Sequence, residues 1–299
     1  MKVGIVGYGS IGKRHADNAQ VLGHEIVVYD PLVRRDVKFE RMIYEQCDVV
    51  VVATPSPAHE GPLRAAIEHR RHVLMEKPIS TSVGMLPILL GDATEKNLVV
   101  MMGNNLRFHP CVQQAKEWID DGKIGTPVWA HFICGQESTK PLYLSDGVIL
   151  NTGAHEVDMA LHLLGPAKVA YANSCTKLRA GTADSDVNVF FTEDIADFML
   201  VHDNGCRSTF HLDFITPNQI REAWVVGSEE KIGIELRNRT CSLGGEARAR
   251  PGNFDGDYFS EMTAFFDRIK GETTPGATGW DGLATLRVLL DVRKMAGLV

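Results

Sequence analysis

The sequence predicts an α/β protein: a doubly wound parallel sheet, then a second α/β domain built on a large, mostly antiparallel open sheet. Three observations carry this. Up to residue 105, short apolar runs alternate with helix-like stretches, as in parallel strands joined by crossovers. The run Val49-Val50-Val51-Val52 shows no polar alternation, which marks a strand covered on both faces. Beyond residue 105 the apolar runs lengthen and alternate with polar residues, and HDNG (202–205) and GSEEK (227–231) are hairpin signals.

The elements follow in order. Residues 2–6 are a short buried strand, and GYGSIGKRHADNAQVLG turns helical. HEIVVYD (24–30) is a strand ending on an acid, and CDVVVVATP (47–55) is the next. PAHEGPLRAAIEHRR is a helix, HVLMEKP (72–78) a strand, TSVGMLPILLGDATEKN a helix, and NLVVMMGNN (97–105) a further strand. HPCVQQAKEWIDDGKIG (109–125) is an amphipathic helix closing on Gly. Strands are then expected over TPVWAHFICGQ, AKVAYANSCTKL, DVNVFFTED, IADFMLVHDN, CRSTFHLDFI, REAWVVGSEE and KIGIELRN. One helix interrupts them, NTGAHEVDMALHLLG (151–165), and two helices close the chain near 256–270 and 280–296. Two domains result, 1–105 and 106–299, with the closing helices free to pack back on the first.

Composition narrows the function. The 299 residues suffice for two cores, and 44% hydrophobic with 23% charged residues is ordinary for a globular protein. A net charge of −7 argues against a nucleic-acid partner, which usually shows as a basic patch. No apolar run reaches membrane-spanning length, and the N-terminus lacks the long apolar core of a secretory signal. Cys47, Cys111, Cys134, Cys175, Cys206 and Cys241 form no CxxC pair, so neither a disulfide framework nor a zinc ribbon is expected. The expected compartment is the cytoplasm.

Gly7-Tyr8-Gly9-Ser10-Ile11-Gly12 matches GxGxxG. The pattern is weak alone and strong here, because it follows a strand and opens a helix. The first Gly allows the tight turn, the second lets the backbone approach a pyrophosphate, and the third lets helix pack on strand. Asp30, 18 residues beyond Gly12, is placed to grip the ribose hydroxyls of NAD. Arg34 and Arg35 follow and could accept the 2′-phosphate of NADP, but an acid at this point favours NAD. Thr54-Pro55 and Glu76-Lys77-Pro78 end strands along the same crevice, where ligands of open parallel sheets sit.

Several motifs in order, GYGSIGKRH, ATPSPAHE, EKP, NNLRFHP and GVILNTGAHEVDMALHLLG, resemble the Gfo/Idh/MocA oxidoreductases over nearly the whole chain. The closing stretches YFSEMTAFFDRIKG and GWDGLATLRVLLDV are similar as well. The resemblance implies a Rossmann domain, a second domain whose open sheet joins subunits as a homodimer or homotetramer, and hydride transfer between nicotinamide and a sugar, sugar nucleotide or cyclitol. It implies cofactor contacts along the phosphate loop, Asp30, Thr54, Pro55, His59, Glu76, Lys77 and Asn105. It further implies that Lys77 is catalytic, its bond to Pro78 commonly cis, and that His155 and Asn151 complete the site.

The residues can support these roles. Lys shifts its pKa readily when desolvated and so can move a proton; the alternative is a surface Lys at a strand end. An imidazole titrates near neutrality, and Asn151 at i−4 and Asp158 at i+3 are expected on the helix face of His155. Asn151 stands where the family often has Asp. An amide carries no proton, so acid–base work falls to Lys77 and His155 while Asn151 orients a hydroxyl. Arg107 and Tyr143 are candidate substrate contacts, with a brace and a packed loop aromatic as their alternatives. A metal set of His155, Asp158 and His162 fits by spacing but lacks a zinc-helix pattern, so no metal is expected. Two other readings stand beside the dehydrogenase. One is a non-catalytic NAD-binding regulator. The other is a reductase of the biliverdin type, using Trp129, Phe132, Phe190 and Phe191.

Overall fold

The computed structural model describes residues 1–137, 141–177 and 192–298, with backbone alone over 141–145. The chain forms two compact units, Met1–Phe108 with Asn253–Leu286, and His109–Gly252 with Arg287–Val299.

The first unit runs β1 (Lys2–Val6), α1 (Ser10–Val21), β2 (Glu25–Asp30), β3 (Arg34–Arg35), α2 (Arg41–Gln46), β4 (Val49–Val52), α3 (Glu60–Glu68), β5 (His72–Glu76), α4 (Leu86–Glu95) and β6 (Val100–Gly103). The strand order is β3-β2-β1-β4-β5-β6. All pairs are parallel except the short β2–β3 hairpin. The order reverses beside β1, so a crevice opens at its carboxyl end. All four β4 valines are fully buried. Val49 and Val51 pack with Val3, Ile5, Leu74 and Met101, and with Phe265 of the later helix Phe254–Ile269. Burial on both faces explains why these strands lack alternation.

The second unit contains α5 (Pro110–Asp120), β7 (Pro127–Gly135), α6 (Pro141–Asn151), α7 (Gly153–Leu164), β8 (Ala167–Cys175), β9 (Ile195–His202), β10 (Arg207–Asp213), β11 (Ile220–Gly227), β12 (Lys231–Glu235), β13 (Thr240–Leu243) and β14 (Glu246–Ala249). Its sheet order is β14-β13-β12-β11-β7-β10-β9-β8. Pairing is antiparallel except β7 with β10. α5, α6 and α7 pack against strands of this sheet. Alternate residues are buried, and Phe132, Phe210 and Phe198 stack across three strands at centroid separations of 5.0 and 4.4 Å. Other residues of the same strands are exposed, including Trp129, Tyr171, Val201 and Ile220. α8 (Phe254–Ile269) and α9 (Gly279–Met295) close the chain. α8 is capped by Asn253 Oδ1, which accepts from Gly256 N at 2.7 Å.

Several expectations need correction. The segment before residue 151 is helical rather than loop, with a break at Gly147, whose φ is +70°. α6 ends at Asn151 and α7 begins at Gly153, so Asn151 closes one helix and does not share a helix face with His155 and Asp158. The i−4 spacing was misleading because a helical period says nothing about a joint between two helices. β13 and β14 carry too few apolar residues to announce themselves. The strand expected over 186–194, with Phe190 and Phe191, lies largely outside the described residues.

Candidate active site

The GxGxxG turn has the geometry its glycines permit. Gly7 has φ +91°, and a Cβ there would stand 2.6 Å from Ala53 O on the β4 side. A Cβ on Gly12 would collide with Gly7 O, so this glycine lets α1 seat on the turn. At Gly9 a Cβ would meet nothing within 4 Å. Gly9 is the N-cap of α1 and supplies no side-chain cap. The first amides of a helix have no intrahelical partner and carry the positive end of its dipole. Open space above uncapped amides is a cradle for an anionic group.

Asp30 stands beside this cradle at the end of β2. Its Oδ2 accepts from Tyr8 N at 2.7 Å, and its Oδ1 from Leu32 N at 2.8 Å and Val33 N at 3.1 Å. Burial would raise its pKa, but those three amides and the charge of Arg35 outweigh burial and hold it below the ordinary range. Asp30 is therefore a carboxylate tied to the loop it faces. Arg34 is held on Asp36 by two bonds of 2.9 Å and lies 5.3 Å from the centre of the Tyr8 ring. Arg35 donates to Pro31 O.

Thr54 and Pro55 follow β4, and Lys77 follows β5. The Lys77–Pro78 bond is cis. Lys77 is half-buried. The Glu76 carboxylate turns toward α1, where His15 Nε2 lies 2.7 Å from its Oε1. His59 is buried, with Nε2 2.8 Å from Thr54 O and Nδ1 2.7 Å from Pro78 O. At the end of β6, Asn104 and Asn105 are buried, and Asn104 Oδ1 and Asn105 Nδ2 make no hydrogen bond among the described residues. The buried Thr54 Oγ1 is likewise unbonded. These atoms leave hydrogen-bonding capacity unspent at the carboxyl ends of β4 and β6. Arg107 is buried, 3.6 Å from Asp281.

In the second unit, α7 carries His155 half-buried and Asp158 buried. Between them Glu156, fully buried, receives Arg221 of β11 at 2.7 Å. Burial raises the Glu156 pKa despite the neighbouring Arg221 charge. This pair pins α7 to the sheet and so sets which way His155 and Asp158 point. Asn151 is half-buried at the end of α6, and the Tyr143 side chain lies outside the described residues. Among the described residues one trio has cation-binding spacing: His15, Glu76 and Glu261, with ligand atoms within 4.8 Å of one another. It does not involve His155, Asp158 or His162. His15, within the GYGSIGKRH stretch, drew no role from spacing alone; its burial on an otherwise polar helix turn was the available signal.

Comparison with known proteins agrees with this geometry. Residues 1–104 match the model of an oxidoreductase family with an NAD-binding Rossmann fold, and residues 112–233 match the GFO/IDH/MocA C-terminal domain. The chain is 24% identical to a myo-inositol 2-dehydrogenase of Thermotoga maritima, over 96% of this chain and 93% of that one. Among solved structures it is similar to a UDP-N-acetylglucosamine 3-dehydrogenase of Acidithiobacillus ferrooxidans (TM-score 0.83, 20% identity, covering 100% and 98% of the chains). A levoglucosan dehydrogenase in complex with NADH and levoglucosan is similar too (TM-score 0.85, 19% identity, covering 99% and 97%).

Proposed function

The chain belongs to the Gfo/Idh/MocA oxidoreductase family, and from that premise we propose that it is an NAD-dependent dehydrogenase of a cyclitol, sugar or sugar-nucleotide hydroxyl. The open, uncapped cradle at Gly9 beside an ionised Asp30 is the observation that carries this reading. Bound NAD supplies the hydride acceptor. The residues of the chain hold it and handle the proton. The α1 amides would hold the pyrophosphate and Asp30 the ribose hydroxyls, with Thr54, Pro55 and Asn105 as further candidate contacts of the cofactor. Lys77 Nζ or the His155 ring takes the hydroxyl proton in oxidation and returns it in reduction, and Asn151 and Asp158 orient the substrate.

NAD is favoured over NADP. A 2′-phosphate would meet the Asp30 carboxylate, and Arg34 is already paired with Asp36. A homodimer or homotetramer through the uncovered face of the second sheet accounts for the exposed Trp129, Tyr171, Val201 and Ile220. Free thiols at all six cysteines accord with the cytoplasm, and among the described residues no helix is long and apolar enough to cross a membrane.

The test is to incubate the protein with NAD or NADP and a panel of cyclitols, sugars and UDP-sugars while following nicotinamide absorbance. Turnover with NAD on at least one panel member is expected. Binding of NAD with no turnover across the panel would turn the reading to the regulator.

A further inference from the structure

Lys77 is flanked in the chain by two residues that buried histidines hold. On its N-terminal side, Glu76 Oε1 lies 2.7 Å from His15 Nε2, and Glu76 Oε2 accepts from the Lys77 amide at 3.2 Å. A carboxylate only accepts, so Nε2 of His15 carries the hydrogen. The carboxylate fills the place a side chain would take on the neighbouring strand: Gly103 pairs with Glu76, and a Cβ on Gly103 would stand 2.9 Å from Oε1. The His15 ring is fully buried and meets the edge of Tyr258 at 5.9 Å. On the C-terminal side, His59 Nδ1 lies 2.7 Å from Pro78 O, and the other nitrogen of the same ring lies 2.8 Å from Thr54 O. His59 is 1% exposed. Both of its partners are carbonyl oxygens; a neutral ring donates to one of them and an imidazolium to both.

Each histidine comes from an element that borders the dinucleotide crevice. His15 lies on the helix that the phosphate loop opens, and His59 follows the Thr54-Pro55 turn. We infer that His15 and His59 are positioning residues for Lys77, joining its two flanks to the elements that carry the cofactor. The inference rests on the proposed proton-transfer role of Lys77. Its physical basis is that general acid–base catalysis needs the group within hydrogen-bond reach of its proton, and misplacement by about 1 Å can cost on the order of 10²-fold. The histidines need not touch substrate to matter.

A double-mutant cycle tests this. His15→Leu and His59→Leu are made in the natural chain and in Lys77→Ala, with fold checked by thermal melting and NAD affinity by titration. Each is expected to lower kcat at least tenfold in the natural chain, with NAD affinity within threefold for His15→Leu, and to cost less than twofold more in Lys77→Ala. His15→Gln and His59→Gln, which keep N–H donors, should recover most of the loss. Equal losses in both backgrounds, or unchanged kcat in the natural chain, would overturn the inference and leave the role of Lys77 standing. Full turnover by Lys77→Ala alone would remove that role and this inference with it. If the leucine variants fail to fold, Gly103→Ala presses a methyl on the Glu76 carboxylate without altering either histidine, and the same cycle applies.

Discussion

The two sheets use burial differently. The first unit covers both faces of its parallel strands, and its candidate site residues stand at strand ends: Gly7 after β1, Asp30 at β2, Thr54 after β4, Lys77 after β5. The second unit covers one face of an eight-stranded sheet and leaves Trp129 47% and Tyr171 52% exposed on its strands. Its reactive candidates lie on helices, His155 and Asp158 on α7, held by the Glu156–Arg221 pair. A strand covered on both faces presents polar groups only where it ends; a sheet covered on one face has a second face to offer to another molecule.

If strand ends carry the chemistry of the first unit, Lys77→Ala should separate rate from stability. General acid–base catalysis contributes about 10²–10⁴ in rate. A loss of that size in kcat is expected, with NAD affinity and melting temperature near those of the natural chain. Steady-state kinetics with calorimetric NAD titration reads all three. Retained turnover would move the proton-transfer role to His155 and so to the second unit.

The second unit should show its own burial through pH. His109 caps α5, its Nδ1 accepting from Cys111 N at 3.2 Å and its Nε2 donating to Leu236 O at 3.1 Å. Burial, then the charge of Arg239, lowers its pKa from 6.5 to about 4. The folded state thus favours the neutral ring. Its contribution is complete above pH 6.5, is lost as pH falls from there toward 4, and changes no further below. The window of 2.5 units (6.5 less 4) corresponds to roughly 3–4 kcal/mol at about 1.4 kcal/mol per unit. His109→Asn keeps a capping oxygen and removes the titration. Urea melts between pH 7 and 4 should therefore lose acid sensitivity in the variant; parallel curves for the two proteins would refute the assignment.

Much of the first unit was legible in the sequence, and the reason is physical. GxGxxG, the valine run and an acid ending the second strand are local demands of backbone turn, two-sided burial and loop anchoring, and each is met within a few residues. The second sheet was legible as alternation, but its details were not. The parallel pairing of β7 with β10 joins strands some seventy residues apart, and no local period encodes it. β13 and β14 hold few apolar residues, and the joint between α6 and α7 hid inside an apparently continuous helical pattern. The candidate site divided the same way. Lys77, Asp30 and the glycines announced themselves through motif. His15 and Arg221 did not, because their partners, Glu76 and Glu156, are 61 and 65 residues away.

The uncovered face gives the next test. Trp129→Glu places a carboxylate on the face that self-association would cover. Trp residues at interface centres commonly contribute about 2 kcal/mol or more. The variant should associate at least about thirtyfold more weakly in sedimentation equilibrium, with its fold intact by circular dichroism. Unaltered association would assign the subunit contact to another surface.

The smallest effect sets the two sheets side by side with one chemical change. Val51→Ala and Val201→Ala each remove two methyl groups from a strand. Val51 is fully buried in the parallel sheet, among Ile5, Leu74, Met101 and Phe265. Val201 is 36% exposed on β9. At about 0.8 kcal/mol per buried methylene equivalent, Val51→Ala should cost about 1.5 kcal/mol, and more where the cavity fails to collapse. Val201→Ala should cost no more than about 0.5 kcal/mol under dilute, unassociated conditions. Raising protein concentration into the associated range should enlarge the second value and not the first, because only Val201 gains burial from a partner. Denaturant melts at two concentrations measure both. A Val201→Ala loss that stays small at both concentrations would mean that the open face of the second sheet is covered by nothing and that its exposed side chains are simply solvated.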